Sequence, residues 1–97
     1  MNPFFDEQGK RWVAAAERRG ATIEAPSLDS RVALELLELA RAAAHTQERR
    51  FAPLSCYLAG VAAERLRAAR PGADEAQIAA YIEEVRRALE GEAASER

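Results

Sequence analysis

Residues 42–60, AAAHTQERRFAPLSCYLAG, leave this chain little choice of fold. One Leu/Ala-rich apolar stretch runs into them and another leaves, with only the polar run from Thr46 to Arg50 and then Phe51 in between. Two apolar stripes at helical spacing on so short a link become neighbouring antiparallel helices. Upstream, Val32, Leu36, Leu39, Ala40 and Ala43 form one stripe, which Leu34 and Leu37 widen. Downstream, Leu54, Tyr57, Leu58, Val61 and Leu66 recur at helical spacing to about Ala69. The pattern predicts helices over 30–46 and 53–69. Asp29 or Ser30 caps the first. Pro53 opens the second, because proline at the first helical position loses no hydrogen bond and has its φ already set. Gly60, inside that helix, costs roughly 1 kcal/mol relative to Ala. A close approach of another helix, against Ala40 or Ala43, is the expected compensation. The apolar face of the first helix is broad enough to touch two neighbours.

Two further helices flank this pair. Asn2-Pro3 reads as an N-cap and first helical residue, with Asp6 and Glu7 at the positive end of the dipole. Phe5, Trp12 and Ala16 recur from there, and Gly20 ends a helix over 3–19. Trp12 is the expected core anchor of that helix, since large aromatics dominate small cores; an exposed partner hot spot is the other reading. Residues 21–29 form a linker that Pro26 keeps from extending as a strand. After the second helix of the central pair, Arg70-Pro71-Gly72 is a stop signal, and Asp74 with Gln77 is a capping pair. Ile78, Tyr81, Ile82, Val85 and Leu89 then place a helix over 75–90, ended by Gly91 and followed by a disordered tail, 92–97. Arg31–Glu35, Glu38–Arg41 and Glu83–Arg87 read as pairs on solvated faces. The expectation is an all-α, compact four-helix bundle-like single domain over residues 1–97.

Composition agrees with helices and narrows function. The 97 residues are 48% hydrophobic, much of it Ala, the best helix former. Residues 1–50 carry eight charges of each sign and residues 51–97 six basic and eight acidic, for a net −2. That balance lacks the footprint of a nucleic-acid binder. A single Cys makes no internal disulfide and fits a reducing compartment. MNPFFDEQGK has no basic leader before an apolar run, and no uncharged apolar run approaches ~18 residues. The expectation is a cytoplasmic chain with no membrane span.

Few residue constellations could carry chemistry. One His, one Cys and scattered carboxylates do not assemble a metal set, and no cofactor motif is present. A nucleophilic site would need His45 to reach Cys56, or a carboxylate, on another element. The strongest cluster is the central junction itself. His45, Arg49 and Arg50 converge beside a helix N-terminus formed by Pro53, whose amides, with the Ser55 hydroxyl, could receive a phosphate or carboxylate. The competing reading makes His45 a helix C-cap and leaves the arginines solvated or paired with Glu48. Cys56 is most simply a small buried or half-buried residue. Arg65, Arg67 and Arg70 form a second basic group without interleaved aromatics.

The run LELLELARAAAHTQERRFAPLSCYLAGVAA resembles a small actinobacterial helical domain of unknown function. Its marks are a Leu/Ala-rich helix ending in Ala-His, an Arg before a Pro, then Ala-Pro-Leu, an aromatic-Leu pair and a Gly. The matching positions include Leu36, Leu39, Arg41, Ala44, His45, Arg49, Ala52, Pro53, Leu54, Tyr57, Leu58 and Gly60. Where the family has Pro directly after the Arg, this chain has Arg50-Phe51. The resemblance implies occurrence beside, or fused to, molybdenum-cofactor guanylyltransferase-like proteins, and hence a non-enzymatic accessory or interaction domain. His45, Arg49, Arg50, Pro53 and Ser55 would then contact an acidic partner or phosphorylated ligand. A self-associating homodimer is the alternative, and a small enzyme using His45 a third.

Overall fold

The computed structural model describes residues 2–95, with side chains through residue 92. It is all-α: four helices and, among the described residues, no strand. The chain falls into two compact units, one ending at Ser30 and the other beginning at Arg31.

In the first unit, helix α1 spans Pro3–Glu17. Asn2 caps it as its spacing predicts: its Oδ1 accepts from the Phe4 amide at 2.9 Å, with Pro3 in the first turn. Gly20, at φ +78°, terminates the helical run. Around it the Ala21 amide donates to the Ala16 carbonyl at 2.9 Å and the Gly20 amide to Glu17 at 3.0 Å. Those two bonds are the Schellman arrangement, which favours glycine at the left-handed position. The linker then folds back on the helix. Gly9 is buried, and a Cβ added to it would lie 2.5 Å from the Pro26 carbonyl oxygen. The close contact belongs to glycine and a backbone carbonyl, not to the indole. Trp12, expected in a core, is 59% exposed. It borders a shallow hollow with Phe5, Gly9 and Pro26–Leu28.

In the second unit, α2 (Ser30–Thr46), α3 (Phe51–Ala69) and α4 (Glu75–Ser95) share one core. Leu39, Ala63, Ile78 and Ile82 form its centre, with Val32, Leu36, Ala59, Leu66 and Leu89 packed around them. Burial of a side chain such as Ile78, the deepest in the unit, contributes about 1.5–3 kcal/mol. The α3–α4 connection is built as its sequence suggests. The Ala73 amide donates to the Arg70 carbonyl at 3.0 Å across Pro71 and Gly72, and Gly72 takes φ +100°. This is a type II turn, with proline and glycine in their preferred places. Asp74 and Gln77 then exchange side-chain and backbone bonds, each 2.9 Å, in a reciprocal capping box.

Four expectations change in detail. Helix α3 opens at Phe51, two residues ahead of Pro53, because the Glu48 and Arg49 carbonyls accept from the Phe51 and Ala52 amides and start the turn early. Gly60 is exposed, and a Cβ there would meet nothing within 4 Å, so no helix approaches it closely. Helix α4 continues through Gly91 to Ser95, since glycine stops a helix only by turning left-handed, as Gly20 and Gly72 do and Gly91 does not. Of the expected tail, residues 96 and 97 lie outside the described residues. Lastly, Glu35 does not sit on a solvated face. It pairs across the unit with Arg86 of α4 at 3.1 Å, the two side chains only 14% and 15% exposed.

Candidate functional site: the exposed face of α3

Helix α3 is the element whose composition its surroundings do not satisfy. From Phe51 to Ala63 it has no charged residue. A helix that is apolar on every side is normally buried on every side. Here two sides are covered. Ala59, Ala63 and Leu66 face the core, and the Cys56 Sγ donates to the Leu36 carbonyl of α2 at 3.6 Å. The rest is open to solvent: Leu54 is 61% exposed, Tyr57 73% and Leu58 68%.

The open side has two flanks. On one, Ser55, Leu58, Ala59 and Ala62 face Tyr81, Ile82, Val85 and Leu89 of α4 across a groove of about 320 Å³, floored by Leu39. Ser55, Ala59 and Ala62 on the α3 wall are small, and no charged residue lines the groove. On the other flank, Tyr57 and Val61 border a shallower depression with Gly60, Glu64, Arg65 and Ala68.

The expected junction is distributed differently from its reading in sequence. His45, Arg49 and Arg50 are all exposed, His45 in the last turn of α2, where a positive charge favours the helix dipole. Arg50 pairs with Glu48 at 2.7 Å. The α3 N-terminus has little amide capacity left. Phe51 and Ala52 donate to the Glu48 and Arg49 carbonyls at 3.0 and 3.2 Å, and Pro53, exposed in the first turn, has no N–H. An anion at this turn would therefore meet side-chain cations rather than a cradle of backbone donors. Ser55 does not join the arginines. Its place is in the α3–α4 groove.

The remaining candidates are also placed by their partners. Cys56 is half-buried, and burial pushes its thiol above its ordinary pKa, which keeps it neutral. Its sulfur bonds at Leu36, nine residues before His45 on α2 and so about 13 Å away along the axis. The Cys56–His45 couple is not assembled. In the second basic group, Arg67 is held by Glu64 and by Glu75 at 2.6 Å. It is an internal tie between α3 and α4, not a free cation. Among the described residues no group of three or more His, Cys, Asp or Glu stands together to hold a metal, and no helix is long and apolar enough to cross a membrane.

The sequence places its candidate contacts at the cations before α3 and puts Leu54, Tyr57 and Leu58 on a wide apolar helix face, without saying which part of that face stays open. The signal that would have located the face is the thirteen-residue stretch without charge, too apolar all round for a helix with two neighbours.

Residues 6–97 match the family described as a domain of unknown function (DUF6457), and the chain belongs to it. Comparison with curated proteins and with solved structures returns no match.

Proposed function

We propose that this member of the DUF6457 family is a non-enzymatic interaction domain that binds an acidic protein partner at the start of α3. The observation that carries the reading is the exposure of Leu54 and Tyr57 directly after a cationic turn. Apolar side chains of this size supply affinity when a partner excludes water from them. Arg49 and Arg50, with His45 beside them, supply attraction at longer range, which speeds encounter and selects a partner of opposite sign. A thiol kept neutral and turned away from the one histidine supports a binding role over a catalytic one.

The resemblance of residues 34–63 extends the reading to a partner: a molybdenum-cofactor guanylyltransferase-like protein, for which this domain is an accessory. Titration of the full chain against such a protein at low and at physiological salt tests it. Binding should weaken as salt rises. The Arg49→Ala/Arg50→Ala variant should associate roughly tenfold more slowly with little change in dissociation, and Tyr57→Ala should dissociate faster. An association rate that is the same in the double variant removes the cationic turn from the reading. Absence of binding at either salt removes this partner.

A further inference from the structure

We infer that the groove between α3 and α4 is the two-fold interface of a homodimer, filled by the Leu54–Leu58 ridge of a second copy. This goes beyond the partner site, which uses the turn, Leu54 and the Tyr57 flank and shares only Leu54 with the ridge. Three features select a second copy. The first is shape. Leu58 stands exposed on the rim of the groove it lines, so ridge and hollow lie side by side on one face. A two-fold axis through such a face sets each ridge into the other hollow, the self-complementarity that an isologous contact requires. Ala59 and Ala62 leave room on the α3 wall for an incoming leucine.

The second feature is charge. No charged residue lines the groove, so a two-fold axis opposes no like charges within it. The third is exposed apolar surface. Phe51, Leu54, Leu58 and Val85 are exposed, and Tyr81 and Leu89 are half-buried beside them. Leu54 is 61% exposed, Leu58 68%, Val85 49% and Phe51 37%, so a two-fold contact has several large apolar side chains to cover, as the apolar centre of a homodimer interface requires.

Sedimentation equilibrium of the full chain from about 1 to about 200 µM, a range that resolves a micromolar Kd, decides the matter. The expected result is a reversible shift from the mass of one chain to that of two. Leu58→Glu should leave a monomer throughout the range with unchanged helical circular dichroism, because the wild-type side chain is exposed and its loss does not reach the core. Val85→Glu, on the opposite wall, should weaken dimerisation at least tenfold. A wild-type chain that stays monomeric at every concentration overturns the inference, whether its groove is empty or takes up an apolar small molecule. So does a dimer that both variants leave intact. Neither outcome touches the acidic-partner reading, since titration of the Leu58→Glu variant against that partner reports on it separately.

Discussion

Two glycines with the same helical setting carry opposite expectations. At Gly9 the Pro26 carbonyl oxygen occupies the space of a methyl group. Gly9→Ala must displace backbone, and overpacking of this kind costs about 1–3 kcal/mol. Faster amide exchange along α1 should report it. At Gly60 the same methyl group enters open space. Gly60→Ala should stabilise the second unit by up to about 1 kcal/mol through helix propensity alone, read from its urea midpoint. Cys56 adds a pH dependence whose sign follows from its environment. Burial raises the folded-state pKa above the unfolded value, so the folded state binds the proton more tightly. The stability from this group is fully present below the unfolded thiol's pKa and is lost as pH rises through the folded one. Alkylation of native Cys56 should accordingly lag behind that of the unfolded chain at every pH across that window, and equal rates would contradict the half-buried, hydrogen-bonded thiol. The sequence suggested a small buried or half-buried Cys56, but not Gly9. Its contact depends on where residue 26 returns, and helical spacing carries no information about that.

The helices were largely legible because their ends are written in local chemistry. Asn2-Pro3, Gly20, Arg70-Pro71-Gly72 and the Asp74/Gln77 pair act on neighbours within a few residues, and each is found doing so. The errors fall where a longer range decides. Arg86 of α4 reaches Glu35 of α2, 51 residues away in sequence, and Glu90 at 2.9 Å on its own helix. Burial draws its guanidinium pKa down, and the bond to and charge of Glu35, then those of Glu90, more than reverse that. Such a pair resists the loss of one member more than the loss of both. In urea melts, Glu35→Ala and Arg86→Ala should therefore each lower stability, and the double variant should fall short of their sum. Strict additivity would show the two side chains to be uncoupled. An i,i+4 rule could only assign Glu35 to Arg31, because it sees one helix at a time.

At the level of the whole molecule, the second unit folds around a small core and leaves its most apolar helix half uncovered. All-α architecture followed from composition and periodicity. Which apolar face stays open did not, because an apolar stripe looks the same in sequence whether its neighbour belongs to the same chain or to another. The self-association proposed for that face would stabilise the folded state by mass action. The melting temperature should therefore climb with protein concentration in the wild-type chain and stay fixed in Leu58→Glu. A wild-type melting temperature independent of concentration would count against any self-association.

The charge-free stretch of α3 also has an analytical use. Arg50 and Arg65 bracket it with no Lys or Arg between them, so trypsin releases residues 51–65 as one peptide, FAPLSCYLAGVAAER. That single fragment contains Leu54, Ser55, Cys56, Tyr57 and Leu58. Labelled in the native state and digested afterwards, it turns occupancy of the α3 face from Phe51 to Arg65 into one mass-spectrometric signal, whichever partner lies on it.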